Sequence, residues 1–275
     1  MRTPRWAKQT ALGAQFWETG KAADCRVIDA HAHMGSWKGI FFPHAEPSQM
    51  VHSMDRAGVQ TVVFSHHSAL SSPDVMNRLS VDAVRAHPDR FRAYCVFHPR
   101  YPEAAQAELD GYDRFPDVYV GLKLHGDMHG VAYTDPRYVP AWQFANERDL
   151  PVLVHSWGTS PNNGTGVMRA IAEKYPRVKL ILGHSLHDLW GDAIAMAREF
   201  PRVYLDLCAV MDERTGVLER FVAEADPDRI VYGTDVPWFD FHYYIAGVLA
   251  ADITETQMRK ILSLNARALF GLAQS

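Results

Sequence analysis

The chain carries 28 Lys+Arg against 32 Asp+Glu over 275 residues, a formal net charge of -4, so its electrostatics give no ground for a nucleic-acid partner or an acidic membrane surface. At 47% hydrophobic and 22% charged, it is too apolar for a disordered chain and long enough to bury a full core, as one large domain or two small ones. Cys25, Cys95 and Cys208 are widely spaced and form no C-x-x-C pair, which excludes a disulfide framework and a thiolate zinc knuckle and makes a reducing compartment the expectation.

Residues 1–25 contain basic side chains but no apolar segment of the kind a secretory signal needs. No window approaches the roughly 20 apolar residues of a membrane span, so a soluble, cytoplasmic protein without a membrane partner is expected. Trp6, Phe16 and Trp17 precede the first strand and mark an N-terminal arm that packs on the rest of the fold, packs on a second subunit in a homodimer, or frays.

From residue 26 onward, short apolar and β-branched runs bounded by Pro, Gly and polar clusters alternate with helical patterns, as parallel strands buried on both faces do. Strands are expected at 26–34, 61–66, 91–97, 120–125, 151–157, 179–185, 203–209 and 230–235. Helices are expected at 47–57, 74–86, 102–114, 136–148, 165–175, 188–199, 213–225 and 254–270. Gly58 closes the first helix in the C′ position, where a positive φ costs glycine little, and Ser72 with Pro73 opens the second. This alternation over about 250 residues argues for a distorted (β/α)8 TIM barrel of the α/β class, filling 26–275 as a single domain behind the arm. A doubly wound open sheet competes, weakened by the absence of G-x-G-x-x-G after the first strand.

Among 14 histidines, His31, His33, His66, His67, His98, His125, His155 and His184 fall at or just beyond the C-terminal ends of these strands. That rim is where a barrel's βα loops build a site, so the imidazoles are expected to converge on one bowl. Taken singly, any of them is more often a satisfied structural residue. In a strand, residues i and i+2 share a face, so His31 and His33 project together and can hold adjacent positions on one cation. His155, His184 and Asp235 end the fifth, sixth and eighth strands. Buried imidazoles and carboxylates at a shared rim are costly to desolvate unless something binds them, and a metal ion meets that requirement.

The segments VIDAHAHMG (27–35), GLKLHG (121–126), LVHSWG (153–158), LGHSLHD (182–188), YGTDVPW (232–238) and NARALFGL (265–272) resemble the amidohydrolase superfamily. The resemblance runs from about residue 26 to 272, in the family's motif order, and its closest branch is the amidohydrolase-related group that also contains aminocarboxymuconate-semialdehyde decarboxylase. It implies a divalent metal, zinc first with manganese or iron as alternatives, held by His31, His33, His155 and Asp235. It also implies His184 as general acid/base beside the metal-bound water, with Asp235 as an alternative proton acceptor. The chemistry is consistent, since a divalent ion lowers the pKa of bound water from 15.7 to about 7 and an imidazole can shuttle protons.

Lys123, two residues before His125, stands where binuclear superfamily members carry a carboxylated lysine bridging two metals. Three readings compete: a cationic lysine holding a substrate carboxylate, a carboxylated bridge, and a structural ion pair. If the bridge exists, His155 and His184 shift to a second metal. His125 either lines the same pocket or packs as a core imidazole.

The loops GSWKGIFFPHAEP after the first strand and VPWFDFHYY after the eighth are rich in aromatic rings, which suits a flat, partly apolar organic substrate better than a sugar phosphate. Trp37 and Trp157 are taken as substrate contacts, and Arg100, Lys38 and Lys123 as partners for a substrate carboxylate, against the alternative of Arg100 as a solvated rim charge. The leading functional expectation is a metal-dependent hydrolase attacking an amide, ester or lactone of a small organic acid. The alternative is a non-oxidative decarboxylase of an aromatic or unsaturated carboxylic acid. From another class, a non-catalytic barrel that binds a metal or ligand is opposed by the completeness of the rim set.

Overall fold

The computed structural model describes residues 10–72, 74–211 and 214–273. Eight parallel strands, β1 (Val27–Met34), β2 (Val59–His66), β3 (Phe91–Val96), β4 (Tyr119–Leu124), β5 (Pro151–Trp157), β6 (Lys179–His187), β7 (Val203–Asp206) and β8 (Ile230–Val231), pair in chain order with helices between them. The result is a nearly closed (β/α)8 barrel. β7 and β8 stop well short of the expected 209 and 235. The β7–β8 ladder holds only the pairs Leu205–Ile230 and Asp206–Val231, and the chain beyond turns through left-handed backbone at Ala209, φ 53, and Asp235, φ 61. The barrel therefore closes through single bonds beyond β8: Ala30 N–H donates to Tyr232 O (2.8 Å), His33 N–H to Val236 O (2.6 Å) and Asp235 N–H to His31 O (2.8 Å).

Side chains alternate between two packed layers, as neighbours along a strand must. Val62, Leu122, Val152, Leu180 and Leu205 face outward and pack beneath the helices, against Met168, Ala193 and others. Ile28, Ala30, Val63, Tyr94, Leu153, Ile181 and Val231 fill the lower interior, where Ala266, Leu269 and Phe270 of the C-terminal helix plug it. The β1–β2 register slips between Asp29 and Ala32. Such a bulge exchanges faces, so His31 and His33 enter the upper interior above Ile28 and Ala30. The face shared by the two histidines follows from their spacing; which face it is depends on the bulge.

Helices follow the expected pattern with local differences. Gly58 caps Pro47–Ala57 in left-handed conformation, φ 77, its N–H donating to Met54 O. The second expected helix begins only at Arg78; Ser72 instead ends a short helix, His67–Ser71, that the sequence reading did not contain. Pro73 lies outside the described residues, as do residues 1–9 with Trp6 and the expected helix start at 213. The last helix is continuous but changes hydrogen-bond pattern, α over Glu255–Arg259, π over Lys260–Leu264 and α over Asn265–Phe270. The aromatic segment after β8, expected as a loop, turns into a helix at Phe241–Ala250, started by Asp240, whose carboxylate accepts from His242 N–H. The helix Ala11–Thr19 packs against it through the arm region, with Phe16 buried and Trp17 exposed. Among the described residues no helix is long and apolar enough to cross a membrane.

Candidate metal centre and its cavity

Three donors from the two sides of the closing seam meet at the top of the barrel. His33 Nε2 lies 3.1 Å and His31 Nε2 3.5 Å from Asp235 Oδ1. The far nitrogen of each imidazole is already engaged. His31 Nδ1 lies 2.8 Å from Asp206 Oδ2, and His33 Nδ1 3.0 Å from the Ser65 hydroxyl. A carboxylate accepts only from an N–H, so Asp206 fixes the His31 proton on Nδ1 and leaves the Nε2 lone pair directed at the cluster, the arrangement typical of metal-ligating histidines.

Burial holds His31, His155 and His184 below the ordinary histidine range, His184 at about 3, so these imidazoles are neutral and have lone pairs to donate. Burial opposes the charge on Asp235, but the surrounding His31 and His33 more than offset it and keep the carboxylate ionised. Asp235 Oδ1 nevertheless accepts no hydrogen bond. A buried anionic oxygen with two imidazole nitrogens nearby and no bond to satisfy it is a donor set short of a cation, so the residues fit a divalent ion with mixed N/O ligands.

Lys123 does not line the cavity. It is buried beneath, with Nζ 3.0 Å from His31 Nε2, and burial lowers its pKa to about 8 despite nearby Asp235 and Asp206. His155 is not brought into the cluster. Its Nδ1 lies 3.1 Å from His184 Nε2 and its Nε2 3.8 Å from Asp127 Oδ2. The other His184 ring nitrogen, Nδ1, has no hydrogen-bond partner. A second donor group, His31, His184, Asp206 and Cys208, also has its ligand atoms within 4.8 Å of one another. Asp206 and Cys208 were not among the expected site residues; their i, i+2 spacing at the end of VYLDLCA, the same spacing that pairs His31 with His33, is the signal that marks them.

Above the donors opens a cavity of about 280 Å³, just under the usual range for small-molecule sites, about 300–1,000 Å³. Trp37, Trp238 and Phe239 form one wall and Trp157, His125 and His155 the other. His67 ties the first wall together. Its Nδ1–H donates to Gly35 O at 2.8 Å, and its Nε2 accepts from Trp238 Nε1 at 3.2 Å. On the second wall, His125 and His155 stack at 4.2 Å and Trp157 and His187 at 3.8 Å between ring centres.

The eight rim histidines do not all converge. His66 accepts from Ser68 N–H and His98 from Arg100 N–H, each serving its own loop, and neither lines the cavity. His125 does line it, while its Nδ1 accepts from Met128 N–H. Arg100, expected to meet a substrate carboxylate, points elsewhere: its guanidinium bonds the carbonyls of His129 and Gly130 at the end of a short helix. Those carbonyl oxygens carry partial negative charge at a helix C-terminus, where an arginine is well placed. Lys38 is exposed and off the cavity wall.

The backbone carrying these side chains is unusual. His184, Ser185 and Leu186 have φ of 66, 47 and 54 in succession, and Asp235 has φ 61. Left-handed backbone at non-glycine residues costs about 1–3 kcal/mol each and concentrates at functional sites.

The family model described as Amidohydrolase matches residues 28–272. Gamma-resorcylate decarboxylase of Rhizobium sp. (strain MTP-10005) is 24% identical over 278 residues, covering 80% of this chain and 85% of the relative. The corresponding protein of Polaromonas sp. (strain JS666 / ATCC BAA-500) is 23% identical over 286 residues, with 81% and 86% covered. Among solved structures, 2,6-dihydroxybenzoate decarboxylase from Rhizobium superposes with a TM-score of 0.71 at 19% identity, covering 90% of this chain and 98% of that one. The 5-carboxyvanillate decarboxylase of Novosphingobium aromaticivorans DSM 12444, complexed with manganese and 4-hydroxy-3-methoxy-5-nitrobenzoic acid, has a TM-score of 0.70 at 16% identity, with 90% and 96% covered. With the family's model spanning the barrel from β1 to the C-terminal helix, this chain belongs to the amidohydrolase family.

Proposed function

We propose that the protein is a metal-dependent, non-oxidative decarboxylase of a small aromatic carboxylic acid. The observation that carries the reading is the cavity wall: tryptophan, phenylalanine and neutral imidazole rings surround the donors, and among the described residues no lysine or arginine lines it. A planar ring fits between such walls. A carboxylate placed there loses its water and finds no cation to pair with except a bound metal, which favours loss of its charge to carbon as CO2 leaves. The relatives' names, gamma-resorcylate and dihydroxybenzoate decarboxylase, support the same direction. Hydrolysis, the first expectation from sequence, gives way to its alternative.

A divalent ion held by His31, His33 and Asp235 supplies Lewis-acid binding of substrate oxygens. We infer manganese as readily as zinc, since manganese is bound in the 5-carboxyvanillate enzyme and in the Polaromonas dihydroxybenzoic acid decarboxylase. His155 joins the ligand set in this reading only by turning away from His184. The aromatic walls orient the ring and exclude water. The carbon–carboxylate bond breaks, CO2 departs, and the ring carbon takes one proton in its place. His184, which lines the cavity, holds that proton; an anionic substrate beside the imidazole raises its proton affinity from the low value that burial imposes.

The test is turnover of 2,6-dihydroxybenzoate and related hydroxybenzoates by the manganese-loaded protein in 18O-labelled water. Release of CO2 with a product lacking one carboxyl group and free of label is expected. Hydrolysis of esters or lactones with label in the product, and no CO2 from any aromatic acid, would refute the reading.

A further inference from the structure

Asp29 lies two residues before His31 and is fully buried. Its Oδ1 accepts from the backbone N–H of His31 (3.0 Å) and of Thr234 (3.2 Å), and its Oδ2 accepts from the Thr234 hydroxyl (2.5 Å). The same hydroxyl accepts from Val236 N–H at 3.0 Å. One carboxylate thus connects the main chain of His31 to the residue immediately before Asp235.

The connection falls at the weakest joint of the barrel. β8 is only two residues long, and no ladder pairs it with β1; an isolated bridge, Ala32 to Val236, and a few single backbone bonds close the seam. The donors on its two sides are His31 and His33 on one and Asp235 on the other. Their separation is therefore set by whatever holds the Gly233–Asp235 segment against β1. The segment itself is held in strained backbone, with φ 61 at Asp235, and side-chain acceptors are what can over-determine such a conformation. A buried acid with three donors is also costly to leave partly satisfied, so the clamp is rigid.

We propose that Asp29, acting with Thr234, is a positioning residue of the metal centre, fixing His31 and Asp235 at ligand separation across the barrel seam. It touches neither metal nor substrate. It works through the backbone of one ligand and the neighbour of the other. The proposal rests on His31 and Asp235 as metal ligands and is independent of the reaction catalysed.

The experiment measures Mn2+ affinity of the full-length protein by competition with a chelator, without substrate, alongside thermal unfolding. Asp29→Asn keeps the side-chain volume but turns one acceptor into a donor, and Thr234→Val keeps shape while removing the hydroxyl; Thr234→Ser keeps the hydroxyl. Tyr94→Phe is the control for a general loss of packing, because Tyr94 hydroxyl donates to Ala30 O (2.6 Å) on the same strand, outside the clamp. Asp29→Asn and Thr234→Val should weaken Mn2+ binding about 10- to 100-fold, the usual effect of removing an outer support of a metal site. Thr234→Ser should bind like the parent, and Tyr94→Phe should melt earlier without losing affinity. Parent-like Mn2+ binding by folded Asp29→Asn and Thr234→Val would overturn the proposal, as would an equal loss in Tyr94→Phe. Should Asp29→Asn fail to fold, the contrast between Thr234→Val and Thr234→Ser decides. With no substrate present, a failed decarboxylation assay has no bearing on this measurement.

Discussion

His184 combines three features that rarely meet in one residue: left-handed backbone at φ 66, one ring nitrogen 3.1 Å from His155 Nδ1, and another with no partner. Asparagine tolerates left-handed backbone better than most residues, so His184→Asn should preserve the fold while removing the proton carrier. Turnover is expected to fall about 10²- to 10⁴-fold, with the melting temperature close to that of the parent; steady-state rates and a thermal melt check both, and a variant that unfolds would mark His184 as structural. At this scale the sequence was informative where side-chain direction follows from spacing. The i, i+2 placement of His31 and His33 is of that kind. It was silent on what Asp206 meets, because the contact from β7 to His31 joins residues 175 positions apart with no pattern in the intervening chain.

Between elements, close approach is decided by the smallest residues. A Cβ on Gly233 would lie 2.1 Å from Asp206 Oδ1 and 2.7 Å from His31 Cβ. Both neighbours are fixed, one by its bonds to His31 and His184 N–H and the other by the strand. Gly233→Ala should therefore destabilise the protein by about 1–3 kcal/mol or more, the range for overpacking a filled interior. A shift in the denaturant midpoint measures it, and an unchanged midpoint would show the seam to be looser than the packing indicates. Helix and strand existence was legible from periodicity, and Gly58 ended its helix as a C′ glycine does. The helix Phe241–Ala250 was missed because its aromatic residues are apolar nearly all round, which removes the polar face by which an amphipathic helix declares itself.

For the molecule as a whole, the prediction concerns the link between cation and fold. The two sides of the β1–β8 seam contribute separate ligands, so an ion bound there binds the closed barrel in preference to the open chain. Excess ion at about 100 times its Kd adds roughly 2.7 kcal/mol of stability. Chelator treatment should lower the melting temperature and Mn2+ should restore it, as thermal unfolding with and without the ion will show; identical melts would contradict an ion at the seam. The N-terminal helix adds to the same closure from outside. Leu12 and Phe16 are buried, and the helix lies against Phe241–Ala250, which follows directly on the Asp235 loop.

By itself the sequence determined the alternation of buried strands and helices, the shared face of His31 and His33, and the family motifs, because each depends on short-range periodicity or on a local string of residues. Only the tertiary structure decided which rim histidines turn inward, that Arg100 caps a helix, that Asp206 orients His31, and that no lysine or arginine among the described residues lines the cavity. Those depend on a strand bulge, on left-handed backbone at the rim and on contacts between distant segments, none of which leaves a periodic trace along the chain.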